Sequence, residues 1–215
     1  MGYISRTLVA CMLLFFVAAC GERSEKNTNA HSQETVVENG IVKNAFFKLS
    51  FEPIEDWYLL SDQELRQLLN LGERIATAES EDLGRIVEAT REANVAIFGI
   101  FEHAPGSPVP LNPNVLVQAE DVSHAPGVKT GADYYFHTKQ VLRETGLNFV
   151  FGETLQKKSI SGIEFDQMNV SLTYQGQEVK QRYYATRYED YILMIIESGY
   201  GEGTAAVLDR IVLDW

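Results

Sequence analysis

Side chains of four kinds could carry chemistry in this 215-residue chain, and their spacing limits what each can do. The only thiols are Cys11 and Cys20, so residues 21–215 can form neither a disulfide nor a thiolate metal site. Histidine is more suggestive, because His103-Ala104-Pro105-Gly106 recurs as His124-Ala125-Pro126-Gly127. Each copy follows one of two β-rich runs, "NVAIFGIFE" and "NVLVQAEDV", separated by a proline-rich segment. If the runs pair as a hairpin, the histidines sit at opposite ends, on the order of 20 Å apart, whereas ligands of one ion lie within ~4 Å of each other. The repeat therefore reads as two Pro-Gly turns, with no metal site. His137 stands alone on a helix. Glu164 and Asp166 share a strand face and could act as acid and base, but with 30 acidic residues such a pair arises without function.

The chain contains no G-x-S-x-G elbow, H-E-x-x-H pair or Walker loop. "GYGEG" at 199–203 lacks a lysine and places Glu202 where a phosphate would need a positive field, so it reads as a turn. These residues point to a protein that is not an enzyme and uses no cofactor. The fourth kind is tyrosine. Tyr183, Tyr184, Tyr188 and Tyr191 crowd the C-terminal half with Tyr134, Tyr135, Tyr174 and Tyr200. Such residues stabilise sheets by cross-strand pairing, or form a binding face with one polar tip. On the second reading the candidate contact residues are Tyr183, Tyr184, Tyr188 and Trp57.

Cys20 gains its meaning from what precedes it. One charge, Arg6, comes before the apolar run 8–19, whose length of ~12 residues falls short of the ~20 a transmembrane helix needs. A positive start, a short apolar run and small residues at its end make a secretory signal peptide. Val17-Ala18-Ala19-Cys20-Gly21 resembles the lipobox of bacterial lipoproteins, which implies cleavage before Cys20 and acylation of its thiol and its new amino group. Two or three chains on one residue would anchor the protein firmly to a membrane without spanning it. Gly21 is not the aspartate that retains such proteins at the inner membrane, so the resemblance implies an outer-membrane lipoprotein facing the periplasm. Net charge is −12, and no basic cluster exceeds Lys157-Lys158. Nucleic acid is disfavoured as a partner, as is polybasic docking onto anionic lipid.

The elements that must position these residues follow from periodicity. Residues 1–19 are the signal, residues 20–45 read as a polar tether, and residues 46–215 form one globular domain. Phe47, Leu49 and Phe51 alternate as in a half-buried strand. Ser61 and Glu64 make a capping box, with Leu60 as staple, for a helix carrying Leu65, Leu68, Leu69 and Ile75. A second helix carries Leu83, Ile86 and Val87. A third carries Tyr134, Thr138, Val141 and Leu142 and stops near Gly146. Three strands, "GIEFDQMNVSLTY", "QEVKQRYYATRYE" and "YILMIIES", then form a meander. The first changes parity between Phe165 and Met168, which predicts a β-bulge near Asp166-Gln167. The third is apolar throughout and belongs at the sheet centre. Leu208, Ile211, Val212 and Trp215 repeat at helical spacing and predict a terminal helix. The fold class is α+β, an antiparallel sheet with helices packed on its faces.

"FKLSFEPIEDW", "NPNVLVQAEDV", "GIEF" and "RYYATRYEDYILMIIES", in that order, resemble the PsbP-like superfamily over residues 46–215. The resemblance implies an α/β/α sandwich and a binding or assembly role, with no catalytic residues to carry over. The expected function is a lipid-anchored, non-enzymatic factor that binds another envelope protein. The alternative is a carrier of lipid or another small hydrophobic ligand. The first requires an exposed apolar or aromatic patch, the second an enclosed apolar pocket of several hundred Å³.

Overall fold

The computed structural model describes residues 35–78, 81–90, 93–174 and 176–215, with only the backbone at 86–90 and 174. Cys20, the signal segment and the first part of the expected tether lie outside them.

The described chain opens with a β-hairpin, β1 (Thr35–Glu38) and β2 (Ile41–Asn44), joined through Asn39 and Gly40, both at positive φ. Residues 35–45 were expected to continue the tether, and this is corrected. Val42 and Asn44 are buried against β3 (Leu49–Phe51), so the hairpin has a core to pack on and the folded part begins earlier than residue 46. Local polarity hid this, because only alternate residues of β2 face inward.

The larger sheet is antiparallel throughout. Its strands are β4 (Tyr58–Leu59), β5 (Asn94–Phe101), β6 (Asn114–Asp121), β7 (Asn148–Phe151), β8 (Gln156–Ile160), β9 (Ile163–Tyr174), β10 (Gln177–Tyr188) and β11 (Tyr191–Ser198). They lie in the order β4-β5-β6-β11-β10-β9-β7, with β8 pairing β9 farther along. The apolar strand β11 is central and buried at every position, as its composition demands.

Alternation divides the core between two faces. Ile192, Met194, Ile196 and Tyr183 point to one face, covered by α1 (Asp62–Ala76) and α3 (Gly131–Glu144). A short α2 (Glu81–Thr90) lies beside them, with Leu83 against Val141. Leu193, Ile195 and Tyr184 point to the other face. This face is covered by the four-stranded sheet β1-β2-β3-β12, where β12 is Ile211–Leu213, and by α4 (Glu202–Leu208). The fold is α+β, with helices on one face and a small sheet plus one helix on the other.

Two local expectations are corrected. No bulge interrupts β9, whose register with β10 runs unbroken from Asp166 to Tyr174. The parity change needs none, because Phe165 packs into one core and Met168, Val170 and Leu172 into the other. The expected terminal helix is also absent. α4 ends at Leu208, and Ile211 and Leu213 are buried around exposed Val212 in a strand paired with β3. Spacing of i, i+3, i+4 and i+7 is ambiguous over so few residues, and β-branched Ile211-Val212 favours the strand. Trp215 Nε1 then donates to the Phe47 carbonyl at 2.7 Å, tying the C-terminus to the start of the domain.

Candidate functional site

The tyrosines proposed as a contact face do not come together on the surface. Tyr183 and Tyr184 are buried on opposite faces of the large sheet. The Tyr183 hydroxyl donates to Gln181 Oε1 at 3.1 Å, and that of Tyr184 to Glu197 Oε2 at 2.6 Å. Tyr188 and Trp57 are half-buried, Tyr188 against Trp215 and Trp57 against α4. Tyr183 and Tyr184 are thus corrected to core residues, as cross-strand packing of these large rings favours. Burial raises the pKa of both phenols well above the ordinary tyrosine value of 10.0. Burial likewise pushes up Tyr134, reinforced by Glu120, and Tyr135, reinforced by Asp166.

Glu197 shows how such a group is closed off. Its carboxylate accepts from Tyr184 and, at 2.5 Å, from Thr204 Oγ1 on α4, while Arg182 Nη1 lies 3.6 Å away. The Arg182 guanidinium covers the Tyr200 ring at 3.7 Å. Glu120 on the opposite face accepts from the Tyr134 hydroxyl at 2.6 Å. These carboxylates knit strands to helices.

The Glu164–Asp166 pair is drawn onto one ammonium. Lys157 Nζ lies 3.0 Å from Glu164 and 2.9 Å from Asp166, and both carboxylates hold its pKa above the usual lysine value. Asp166 is buried and also accepts from the Ala132 N–H at 3.0 Å, at the first turn of α3, where a negative charge is favoured. The two carboxylates act here as struts. His103 and His124 follow opposite ends of the antiparallel β5–β6 pair. Around His103 the backbone N–H and C=O both bond the Asn112 side chain, which closes the long loop. Among the described residues no three His, Cys, Asp or Glu side chains converge as metal ligands.

An open surface lies along α3. The helix starts at a capping box between Thr130 and Asp133 and rests on β10 at Gly131, where a Cβ would come within 2.3 Å of the Ala185 carbonyl. Only glycine allows so close an approach. Tyr134, Tyr135, Thr138 and Leu142 fill the core. Ala132, Phe136, Lys139, Gln140 and Arg143, at helical spacing, are left to line one side of a groove. Leu155, between β7 and β8, and Tyr135 complete the lining. The cavity has a volume of about 390 Å³. From 132 to 143 the lining runs roughly 17 Å along the helix axis.

Phe136 is 64% exposed, among the most exposed of the large apolar side chains described. Lys139 Nζ stands 5.8 Å and Arg143 Cζ 5.4 Å from the centre of the half-buried Phe151 ring, which stacks on Phe149 in β7. Neither cation forms an ion pair among the described residues, although the chain has 30 acidic residues. The arrangement offers an apolar strip beside two cations held in parallel. Sequence reasoning missed Phe136, Lys139, Arg143 and Leu155. The stripe 136-139-140-143 was a visible signal, but its mixed chemistry does not read as amphipathicity.

No family model and no curated protein matches the chain. It is similar to solved structures. LpqN, involved in cell envelope biogenesis of Mycobacterium tuberculosis, is 14% identical over 77% of this chain and 83% of that one, with a TM-score of 0.42. Cyanobacterial PsbP (CyanoP) from Synechocystis sp. PCC 6803 is 9% identical over 89% of this chain and 98% of that one, also with a TM-score of 0.42. Among the described residues no helix is long and apolar enough to cross a membrane.

Proposed function

We propose that this protein is a non-enzymatic docking factor of the cell envelope, held at the outer membrane by lipid on Cys20 and engaging another envelope protein through the groove along α3. The observation that carries this reading is Phe136, a large apolar side chain 64% exposed beside two cations without carboxylate partners among the described residues. Exposed aromatic and arginine side chains are the common anchors of protein interfaces. A lipid or metabolite carrier needs an enclosed pocket that buries most of its ligand. The groove opens to solvent beside Phe136 and is lined by only seven residues, which supports docking over carriage.

Crosslinking in intact cells tests this reading. With the wild type, one envelope protein should dominate the crosslinked products. Phe136→Asp should lose that product, while Val212→Asp, an exposed change on β12, should keep it. Equal yields from both variants would sink the groove as the docking site. For the anchor, mass spectrometry of the native chain should show an acylated Cys20 at the N-terminus, and an intact leader would refute it. Cys20→Ala should become soluble with its thermal transition unchanged.

A further inference from the structure

We infer that the groove takes an acidic amphipathic peptide segment of the partner protein, seating one large apolar side chain between Phe136 and Leu155 and two carboxylates on Lys139 and Arg143; this rests on the docking role proposed above. Charge complementarity gives the sign. Several cations are closed by the chain's own acids, as Lys43 on Glu38, Arg66 on Asp62, Lys157 on Glu164 and Asp166, Arg182 on Glu197 and Arg187 on Asp190, while Lys48, Arg74, Lys158 and Arg210 form no ion pair among the described residues and lie over no ring. Lys139 and Arg143 instead lie over one ring, Phe151, and no acid shares the face 132-136-139-140-143. Resting two flexible side chains on a ring orders them in advance, which lowers the cost of fixing them on binding.

Spacing gives the chemistry of the segment. Positions 139 and 143 lie one helical turn apart, so their Cβ atoms are roughly 6 Å from each other. Carboxylates match that separation at i and i+4 of a helix, or at i and i+2 of a strand rising ~3.4 Å per residue. A groove of roughly 17 Å takes about three helical turns or five extended residues. A membrane surface fits less well. Two cations contribute only ~1 kcal/mol each toward anionic lipid, against the repulsion of a chain whose net charge is −12.

The test places the photocrosslinker benzoyl-phenylalanine at position 136 of the full-length, lipidated chain in living cells, with position 212 as control, and maps the captured peptide by mass spectrometry. The expected product at 136 is a segment with at least two Asp or Glu residues flanking a large apolar residue. Its yield should fall at least tenfold in Lys139→Glu/Arg143→Glu and persist in Lys139→Arg/Arg143→Lys. Capture of a neutral or basic segment, or a yield indifferent to charge reversal, overturns the inference while leaving the docking role standing. A lipid adduct, or no protein adduct specific to 136, overturns both. Capture of a second copy of this chain assigns the groove to self-association and overturns the inference as well.

Discussion

Two regions of this molecule are built from the same materials and end in opposite states. At the corner of β11 and α4, a tyrosine, a carboxylate and an arginine close on one another around Glu197, and the arginine lies over a second tyrosine. Along α3, a phenylalanine, a lysine and an arginine are just as close, yet their charges find no acid among the described residues. Aromatic rings and charges in proximity therefore do not mark a binding face. What separates the two regions is whether the charge is already satisfied within the chain, because a satisfied group has little left to offer a partner.

The largest expected effect separates the closed chemistry from the open one by pH. Tyr134, Tyr135, Tyr183 and Tyr184 are buried phenols whose pKa burial raises well above 10.0. In the unfolded chain each loses its proton near that value, while in the folded chain each keeps it. Above the unfolded pKa the unfolded chain binds fewer protons, so stability is intact below it and falls as pH rises. Four such groups give a slope on the order of 5 kcal/mol per pH unit. A domain stable by 5–15 kcal/mol should then unfold within about one to three pH units above the unfolded value. Tyrosinate absorbance should rise for exposed tyrosines first, then in a cooperative step coincident with loss of circular dichroism. Smooth, independent titration of the tyrosines, with no cooperative step, would break the comparison.

Next in size is the Glu197 corner itself. Glu197→Ala removes the carboxylate that accepts from the buried Tyr184 hydroxyl, leaves Thr204 Oγ1 with Gly201 alone and takes the charge partner from Arg182, and should cost about 3 kcal/mol in urea denaturation. Tyr184→Phe removes one donor from a carboxylate that keeps its other partners, and should cost about 1–2 kcal/mol. The order of the two effects is the informative quantity. An equal loss would mean that Thr204 and Arg182 contribute nothing.

The contrast between these regions was only half legible in the sequence. Apolar saturation of 191–196 placed β11 at the sheet centre, and Ser61 with Glu64 marked the start of α1. Both are local signals that tertiary structure had no cause to override. The hairpin at 35–44 and the strand at 211–213 were not legible, because each is too short for its period to speak and is held by pairing with β3, which for 211–213 is distant in sequence. The tyrosines stood out by density, and density reflected the core. The groove was hidden because it depends on Phe151 and Leu155, in a segment with no strong period, being brought across sequence to α3.

The smallest effects fall on the groove, and their smallness is the point. Lys139→Ala and Arg143→Ala should each change stability by less than about 1 kcal/mol, since an exposed cation over a ring contributes ~0.5–1 kcal/mol. Phe136→Ser should shift the urea midpoint even less, because most of its ring is already in water. A double-mutant cycle of Arg143→Ala with Phe151→Leu separates the charge–ring contact from simple packing. A coupling of about 0.5 kcal/mol would show the ring holding the cation in place. Zero coupling would mean that Arg143 is free to sweep the surface, and the parallel placement of the two charges would then be lost as an ordering device. A loss above about 3 kcal/mol from any of these changes would make the α3 face structural, and its difference from the Glu197 corner would disappear.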